Sequence, residues 1–112
     1  MTNKKVYIAG KITGDPNYHE KFQKAQAELE REGFIVMSPA ILPEGMTRAD
    51  YMRICLAMID SADIVAFLQD WQQSKGALLE HSWCKYTEKP IVYLPLRVRW
   101  DDFMERKIGH GE

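Results

Sequence analysis

The chain has 112 residues, which suits one domain with a single core and leaves too few residues for two. Hydrophobic residues make up 46% and charged residues 28% of the sequence, and the formal net charge of −1 offers no basic excess for binding a nucleic acid polymer. No apolar run reaches the roughly 18 to 20 residues of a membrane helix, and two cysteines do not make a disulfide framework, so we expect a reduced, cytoplasmic protein.

Apolar runs alternate with stretches of helical periodicity along the chain. Residues 6–9 form a short apolar run that ends at a glycine, which indicates a buried strand. Asp15 and Pro16 then have the order of an N-cap followed by proline at the first helical position. Apolar residues recur behind them at spacings of four, three and four, which predicts a helix that ends at Gly33.

The second half of the chain continues this alternation. Residues 34–37 are a second strand-like run, and Thr47 with Asp50 has the spacing of a capping box that opens the second helix. Residues 64–68 are an unbroken apolar run, typical of a strand buried on both faces of a parallel sheet. We expect four further segments: a third helix over 76–86, a fourth strand over 91–94, a short helix over 100–107 and a frayed tail over 109–112.

This order predicts one α/β domain over residues 1–112, with an ordered core over about 4–107. Right-handed crossovers place helices on both faces of a parallel sheet, and ligands then bind beyond the carboxyl ends of the strands. We therefore expect any chemistry to come from four segments: residues 10–14, residues 38–46, residues 69–76 and those after Leu94.

The loop after the first predicted strand could hold a ligand. Gly10 and Gly14 let the backbone approach closely, and Lys11 and Thr13, on either side of Ile12, add a charge and a hydroxyl. The loop is neither a Walker A loop nor a dinucleotide-binding fingerprint. A tight turn with solvated polar residues therefore stays open as the alternative.

Glu80 is the strongest candidate for a reactive side chain. Ser74 can cap the third helix, and Gly76 keeps its first turn open. Glu80 shares a stripe with Ala77 and Cys84 that should face the sheet, an unusual place for a glutamate, so we expect it to line the main pocket. The helix dipole would help to keep it ionised, and such a carboxylate at a ligand-binding edge is a candidate nucleophile.

Plainer interpretations stay open for these side chains. Glu80 could be structural and pair with Lys11 or Lys75. His81 and Cys84 lie three residues apart on the helix, but no second cluster supplies further metal ligands, so ordinary burial is favoured and no metal site is predicted.

Three stretches together resemble the nucleoside 2-deoxyribosyltransferase superfamily. They are residues 6–14, residues 61–68 and the pattern Ser74-x-Gly76-Ala77-x-x-Glu80. The resemblance extends to a branch of small proteins of uncharacterised function, the DUF4406 family, over roughly residues 5–94. It implies a flavodoxin-like three-layer sandwich with a parallel sheet of four or five strands and no metal or organic cofactor. It also implies a homodimer or larger homo-oligomer, because family active sites often borrow residues from a neighbouring subunit.

The resemblance also implies roles for individual residues. In this superfamily a glutamate attacks the anomeric carbon of a nucleoside and expels the base, and a second base or water then resolves the glycosyl-enzyme with overall retention. By resemblance Glu80 is that nucleophile, and Tyr7 is the tyrosine that orients it. Ser74 stands where the related 2′-deoxynucleoside 5′-monophosphate N-glycosidases carry a phosphate-binding serine. Residues 10–14 match their phosphate loop, with Thr13 in place of an arginine.

The function that the resemblance implies is hydrolysis or base transfer at the N-glycosidic bond of a nucleotide or nucleoside, a small-molecule partner. The predicted substrate-binding residues are Gly10, Lys11, Ile12, Thr13, Ser74 and Gly76. Cys55 stands where the family usually has an aspartate that assists leaving-group protonation, so a weak or silent nucleotide-binding protein is the alternative. A receiver-like signalling domain with Asp70 as phosphoacceptor is disfavoured, because Gly10 and Lys11 stand where it needs an acidic pair.

Overall fold

The computed structural model describes residues 3–107, so the predicted tail over 109–112 lies outside the described residues. Strands and helices alternate through this range, as the sequence predicts. The strands are β1 (Lys5–Ala9), β2 (Ile35–Met37), β3 (Ile64–Phe67) and β4 (Ile91–Tyr93). The helices are α1 (Tyr18–Arg31), α2 (Arg48–Ser61), α3 (Lys75–Thr87) and α4 (Trp100–Lys107). Two short 3-10 turns, Pro39–Ile41 and Trp71–Gln73, follow β2 and β3.

The four strands form one parallel sheet in the order β2-β1-β3-β4. Tyr7 of β1 lies opposite Met37 of β2 on one side and Val65 of β3 on the other. All four residues of β3 are buried, which explains the unbroken apolar run that predicted this strand. Among residues 3–107, no helix is long and apolar enough to cross a membrane.

The sheet separates two hydrophobic cores. Alternate residues of β1 point to opposite faces, so Val6 and Ile8 enter one core while Tyr7 and Ala9 enter the other. On the first face the sheet packs against α1 and α4, which contribute residues such as Phe22, Leu29 and Phe103. On the second face it packs against α2 and α3, which contribute Cys55, Ile59 and Cys84.

The helix starts follow the predicted capping signals in two cases out of three. Thr47 and Asp50 form the predicted capping box, with each side chain accepting from the other residue's backbone amide. Ser74 caps α3. The prediction that Asp15 caps α1 is wrong, because the Asp15 carboxylate accepts from the Asn17 amide at 2.9 Å and turns the chain before the helix. Asn17 therefore takes the N-cap position.

Candidate functional site

Tyr7 and Glu80 meet between the sheet and α3. Tyr7 is the third residue of β1 and is fully buried, and Glu80, in the second turn of α3, is 6% exposed. The Tyr7 hydroxyl donates a hydrogen bond to Glu80 Oε2 at 2.9 Å. The inward position of Glu80 is therefore confirmed, since Ala77 and Cys84 of the same stripe are buried with it.

Burial controls the charge of this pair. Removal from water raises the pKa of Glu80 to about 7, although hydrogen bonds from Tyr7 and Cys55 act in the opposite direction. Desolvation is therefore the dominant influence on this carboxyl group, and both its neutral and its ionised form are populated near neutral pH. Burial also raises the pKa of Tyr7 well above its usual value, so its hydroxyl remains a donor.

Cys55 is the third member of this buried group. It lies on α2, is 6% exposed, and is in hydrogen-bonding contact with both Tyr7 and Glu80. Burial raises the pKa of its thiol to about 11, so the thiol is protonated at neutral pH. The apolar face of α2 alone suggests an inert core cysteine. The signal that points to the site is its spacing of eight residues before Asp63, where the resemblance places a functional aspartate.

The predicted substrate residues at the start of α3 have a structural role as well. Ser74 Oγ accepts from the Ala77 amide at 3.1 Å, and this bond caps the helix. A Cβ on Gly76 would meet Met52 Cε at 3.8 Å and Ser74 Oγ at 3.9 Å, which are ordinary contact distances. Packing therefore does not require glycine at position 76, because a Cβ there would make only ordinary contacts.

The loop over residues 10–14 is tightly held but does not touch Glu80 directly. A Cβ on Gly10 would stand 2.8 Å from Leu68 Cδ1, so this position requires glycine for close approach. Ile12 accepts from the Asp15 amide and is partly buried, whereas Thr13 is exposed. Among the described residues 3–107, no hydrogen bond joins this loop to Glu80, and neither Lys11 nor Lys75 forms an ion pair with it.

An aromatic cluster occupies the neighbouring part of the sheet edge. Trp71 stacks on His81 with ring centroids 4.1 Å apart, and His81 Nε2 shares a hydrogen bond of 2.7 Å with the Tyr93 hydroxyl. Cys84 is fully buried in the neighbouring core. Within residues 3–107 no group of three or more metal-ligating side chains is placed to hold an ion. The stacking of Trp71 on His81 is thus a packing contact between the two rings.

A cleft of about 560 Å³ lies on the other side of the sheet, between the second half of α1 and the segment after β4. Its lining includes Leu29, Arg31, Leu96, Arg99 and Trp100. Glu80 does not line this cleft, and its place in the main ligand pocket stays a prediction. Glu80 packs against Tyr7 and Cys55, which leaves little of its surface exposed.

The fold and the site define a small parallel α/β protein with a buried phenol–carboxylate pair on one face of its sheet. The chain belongs to the DUF4406 family, described as a domain of unknown function, whose sequence model matches residues 4–93. No match was found among curated proteins.

One solved structure that it resembles is described as 2-desoxiribosyltransferase from Leishmania mexicana. The TM-score is 0.65 at 16% sequence identity, and the match covers 80% of this chain and 63% of that chain. At this identity the likeness shows the fold alone. The predicted flavodoxin-like α/β sandwich is confirmed, with four strands in its sheet.

Proposed function

We propose that this protein cleaves the N-glycosidic bond of a (deoxy)nucleoside 5′-monophosphate, either by hydrolysis or by transfer of the sugar to a second base, with Glu80 as the nucleophile. The observation that carries the proposal is the buried hydrogen bond of 2.9 Å from the Tyr7 hydroxyl to Glu80 Oε2. Packing holds this glutamate against a phenol near the carboxyl edge of the parallel sheet, where ligands bind. Such a carboxylate is oriented for reaction rather than for solvation. The name of the Leishmania neighbour, a deoxyribosyltransferase, supports the same chemistry.

The proposed reaction has two steps. The Glu80 carboxylate attacks the anomeric carbon, the carbon–nitrogen bond breaks, and the base leaves with the bonding electrons and takes a proton from solvent water. Water or a second base then attacks the anomeric carbon of the glycosyl ester, which releases the Glu80 carboxylate with overall retention of configuration. Tyr7 holds one carboxylate oxygen throughout, because its own pKa keeps it protonated.

The proposed phosphate site lies at the start of α3. Ser74 Oγ already accepts one backbone hydrogen bond as the helix cap, and its hydroxyl hydrogen can still be donated to a phosphate oxygen. The first-turn amides add donors, and Gly76 places no side chain beside them. Lys11 supplies a positive charge from the loop after β1.

A silent nucleotide-binding protein is the second candidate, and Cys55 favours it. The Cys55 thiol is in hydrogen-bonding contact with Glu80, and its pKa of about 11 makes it a weaker acid than a carboxyl group. Without a better proton donor, departure of the base would be slow. This candidate binds the same ligands but releases no base.

The test is incubation of the purified protein with a panel of 2′-deoxynucleosides and their 5′-monophosphates, with free base measured by chromatography. We expect base release from at least one monophosphate and a loss of about a thousandfold or more in Glu80→Gln, since direct attack by water is then the only route. Glu30→Gln, at an exposed glutamate of α1, is the matched control and should retain the native rate. A folded Glu80→Gln protein with near-native turnover would exclude the nucleophile, and binding without turnover in the native protein would favour the silent alternative.

A further inference from the structure

Two charged side chains hold the peptide groups on both sides of Lys11. Asp70 Oδ1 accepts from the Lys11 backbone amide at 3.1 Å, and the Lys21 ammonium donates to the Lys11 carbonyl oxygen at 2.7 Å. Lys21 also donates to carboxylate oxygens of Asp15 and Asp70. We name Asp15, Lys21 and Asp70 the Lys11 clamp.

The Lys11 clamp joins three segments at the carboxyl edge of the sheet. Asp70 lies between β3 and α3, four residues before Ser74, whereas Lys21 belongs to the first turn of α1. The side chains of Lys21, Asp15 and Asp70 are only 25%, 20% and 23% exposed. Water and salt therefore screen this network less than they screen an exposed ion pair.

Lys21 has no donor left for a ligand. An ammonium group has three N–H donors, and these meet the Lys11 carbonyl, Asp15 and Asp70. Its positive charge offsets one of the two carboxylate charges beside the loop and so weakens their repulsion of an anion. The Lys11 ammonium forms no ion pair within 4 Å among residues 3–107, although its charge helps to lower the pKa of Asp15, and its own backbone is fixed at both peptide groups.

We propose that Asp70 and Lys21 are positioning residues that fix the Lys11 backbone and so set the preference of the site for a 5′-phosphorylated ligand over the bare nucleoside. The proposal rests on the proposed function for the identity of the ligand. The fixation of the Lys11 backbone rests on hydrogen bonds alone and can be tested without any ligand.

The variants separate the two roles of Asp70. Asp70→Asn keeps an oxygen that can accept from the Lys11 amide but removes the charge that faces Lys21, whereas Asp70→Ala removes both. Asp63→Ala is the matched control, because Asp63 Oδ2 accepts from the Lys5 amide at 2.7 Å at the opposite edge of the sheet. Lys21→Met keeps most of the side-chain volume and removes the ammonium group.

Amide hydrogen exchange, followed by NMR, tests the backbone fixation. We expect exchange at the Lys11 amide to accelerate by about tenfold in Asp70→Ala and to change little in Asp70→Asn, since one hydrogen bond is lost only in the first. Asp63→Ala should leave the Lys11 amide unchanged and accelerate the Lys5 amide instead. Native protection of the Lys11 amide in folded Asp70→Ala would overturn the proposal.

Calorimetry on a Glu80→Gln background, which prevents turnover, tests the ligand preference with 2′-deoxynucleosides and their 5′-monophosphates. We expect Asp70→Ala and Lys21→Met to reduce the ratio of monophosphate to nucleoside affinity by about fivefold or more, whereas Asp70→Asn and Asp63→Ala do not reduce it. If the parent prefers the monophosphate and the affinity ratio is unchanged in both Asp70→Ala and Lys21→Met, the proposed role of the Lys11 clamp is overturned and the proposed substrate is not. A parent that binds neither ligand, or both equally, would overturn the preference together with the proposed substrate.

Discussion

The ionisation state of Glu80 affects both the stability of the fold and the proposed chemistry. Only its carboxylate form can attack an anomeric carbon, yet burial favours the neutral form and raises the pKa to about 7. The donors from Tyr7 and Cys55 stabilise the carboxylate only in part. Both forms are therefore populated near neutral pH, and the native fold is destabilised whenever Glu80 ionises.

The stability of Glu80→Gln relative to the native protein should consequently increase as pH rises. An unfolded glutamate titrates near 4.5 and the folded Glu80 near 7, so the stability contributed by its neutral form is complete below about 4.5 and is lost as pH increases through about 7. We expect a difference of about 3 kcal/mol between pH 4 and pH 8. Urea unfolding of both proteins across this range measures it, with Glu30→Gln as control. A difference between the two proteins that stays constant with pH would contradict the raised pKa.

At the level of the helices, the start of α3 combines a cap with the proposed phosphate site. Ser74→Asp should preserve the cap, because aspartate and serine cap helices about equally well, and should reverse the preference for a monophosphate by placing a carboxylate against it. Calorimetry with nucleoside and monophosphate measures the preference, and thermal unfolding measures the cap. Thr47→Asp makes the same change at the cap of α2 and should alter neither. Retained monophosphate preference in a stable Ser74→Asp protein would show that Ser74 does not contact the phosphate.

The helices and strands could be predicted from the sequence because their signals are local. Apolar runs predict the four strands, and the capping box predicts the start of α2. The start of α1 could not be predicted, since Asp15 has two competing partners: the Asn17 amide and Lys21, which lies one turn further along the helix. The short 3-10 turn over Trp71–Gln73 also lies in a segment that looks like a polar loop, because its stability comes from contacts with α3 rather than from its own residues.

For the site, the sequence predicts which residues come together but not their electrostatics. The stripe on α3 predicts that Glu80 faces the sheet, and the family resemblance predicts that Tyr7 contacts it; the structure joins them. The pKa of Glu80 depends on desolvation and on contacts with Tyr7 and Cys55, which lie far from it in the sequence, so no local pattern encodes it. The bond between Asp70 and Lys21 is also invisible in the sequence, because 49 residues separate its partners.

At the scale of the whole molecule, the two faces of the sheet differ in the residues that they carry. The face covered by α2 and α3 carries Tyr7, Cys55 and Glu80, whereas the face covered by α1 and α4 is an apolar core. The matched family region ends at residue 93, before α4 begins at Trp100. Helix α4 nonetheless completes the first core, since Trp100 packs edge-on against Phe34 and Phe103.

Phe103→Ala should therefore weaken the fold while leaving the site intact. Phe103 is 7% exposed, and truncating a buried phenylalanine to alanine costs about 3 to 5 kcal/mol, because transfer energy is lost and a cavity remains. Urea unfolding measures this cost, and NMR titration of the Glu80 carboxyl group measures the site. We expect the pKa of Glu80 to stay near 7, because the central strands stand between Phe103 and the Tyr7–Glu80 pair. Asp102→Ala, at an exposed position of α4, is the control and should change neither quantity. A marked change in the pKa of Glu80 in folded Phe103→Ala would show that the two cores are coupled through the sheet.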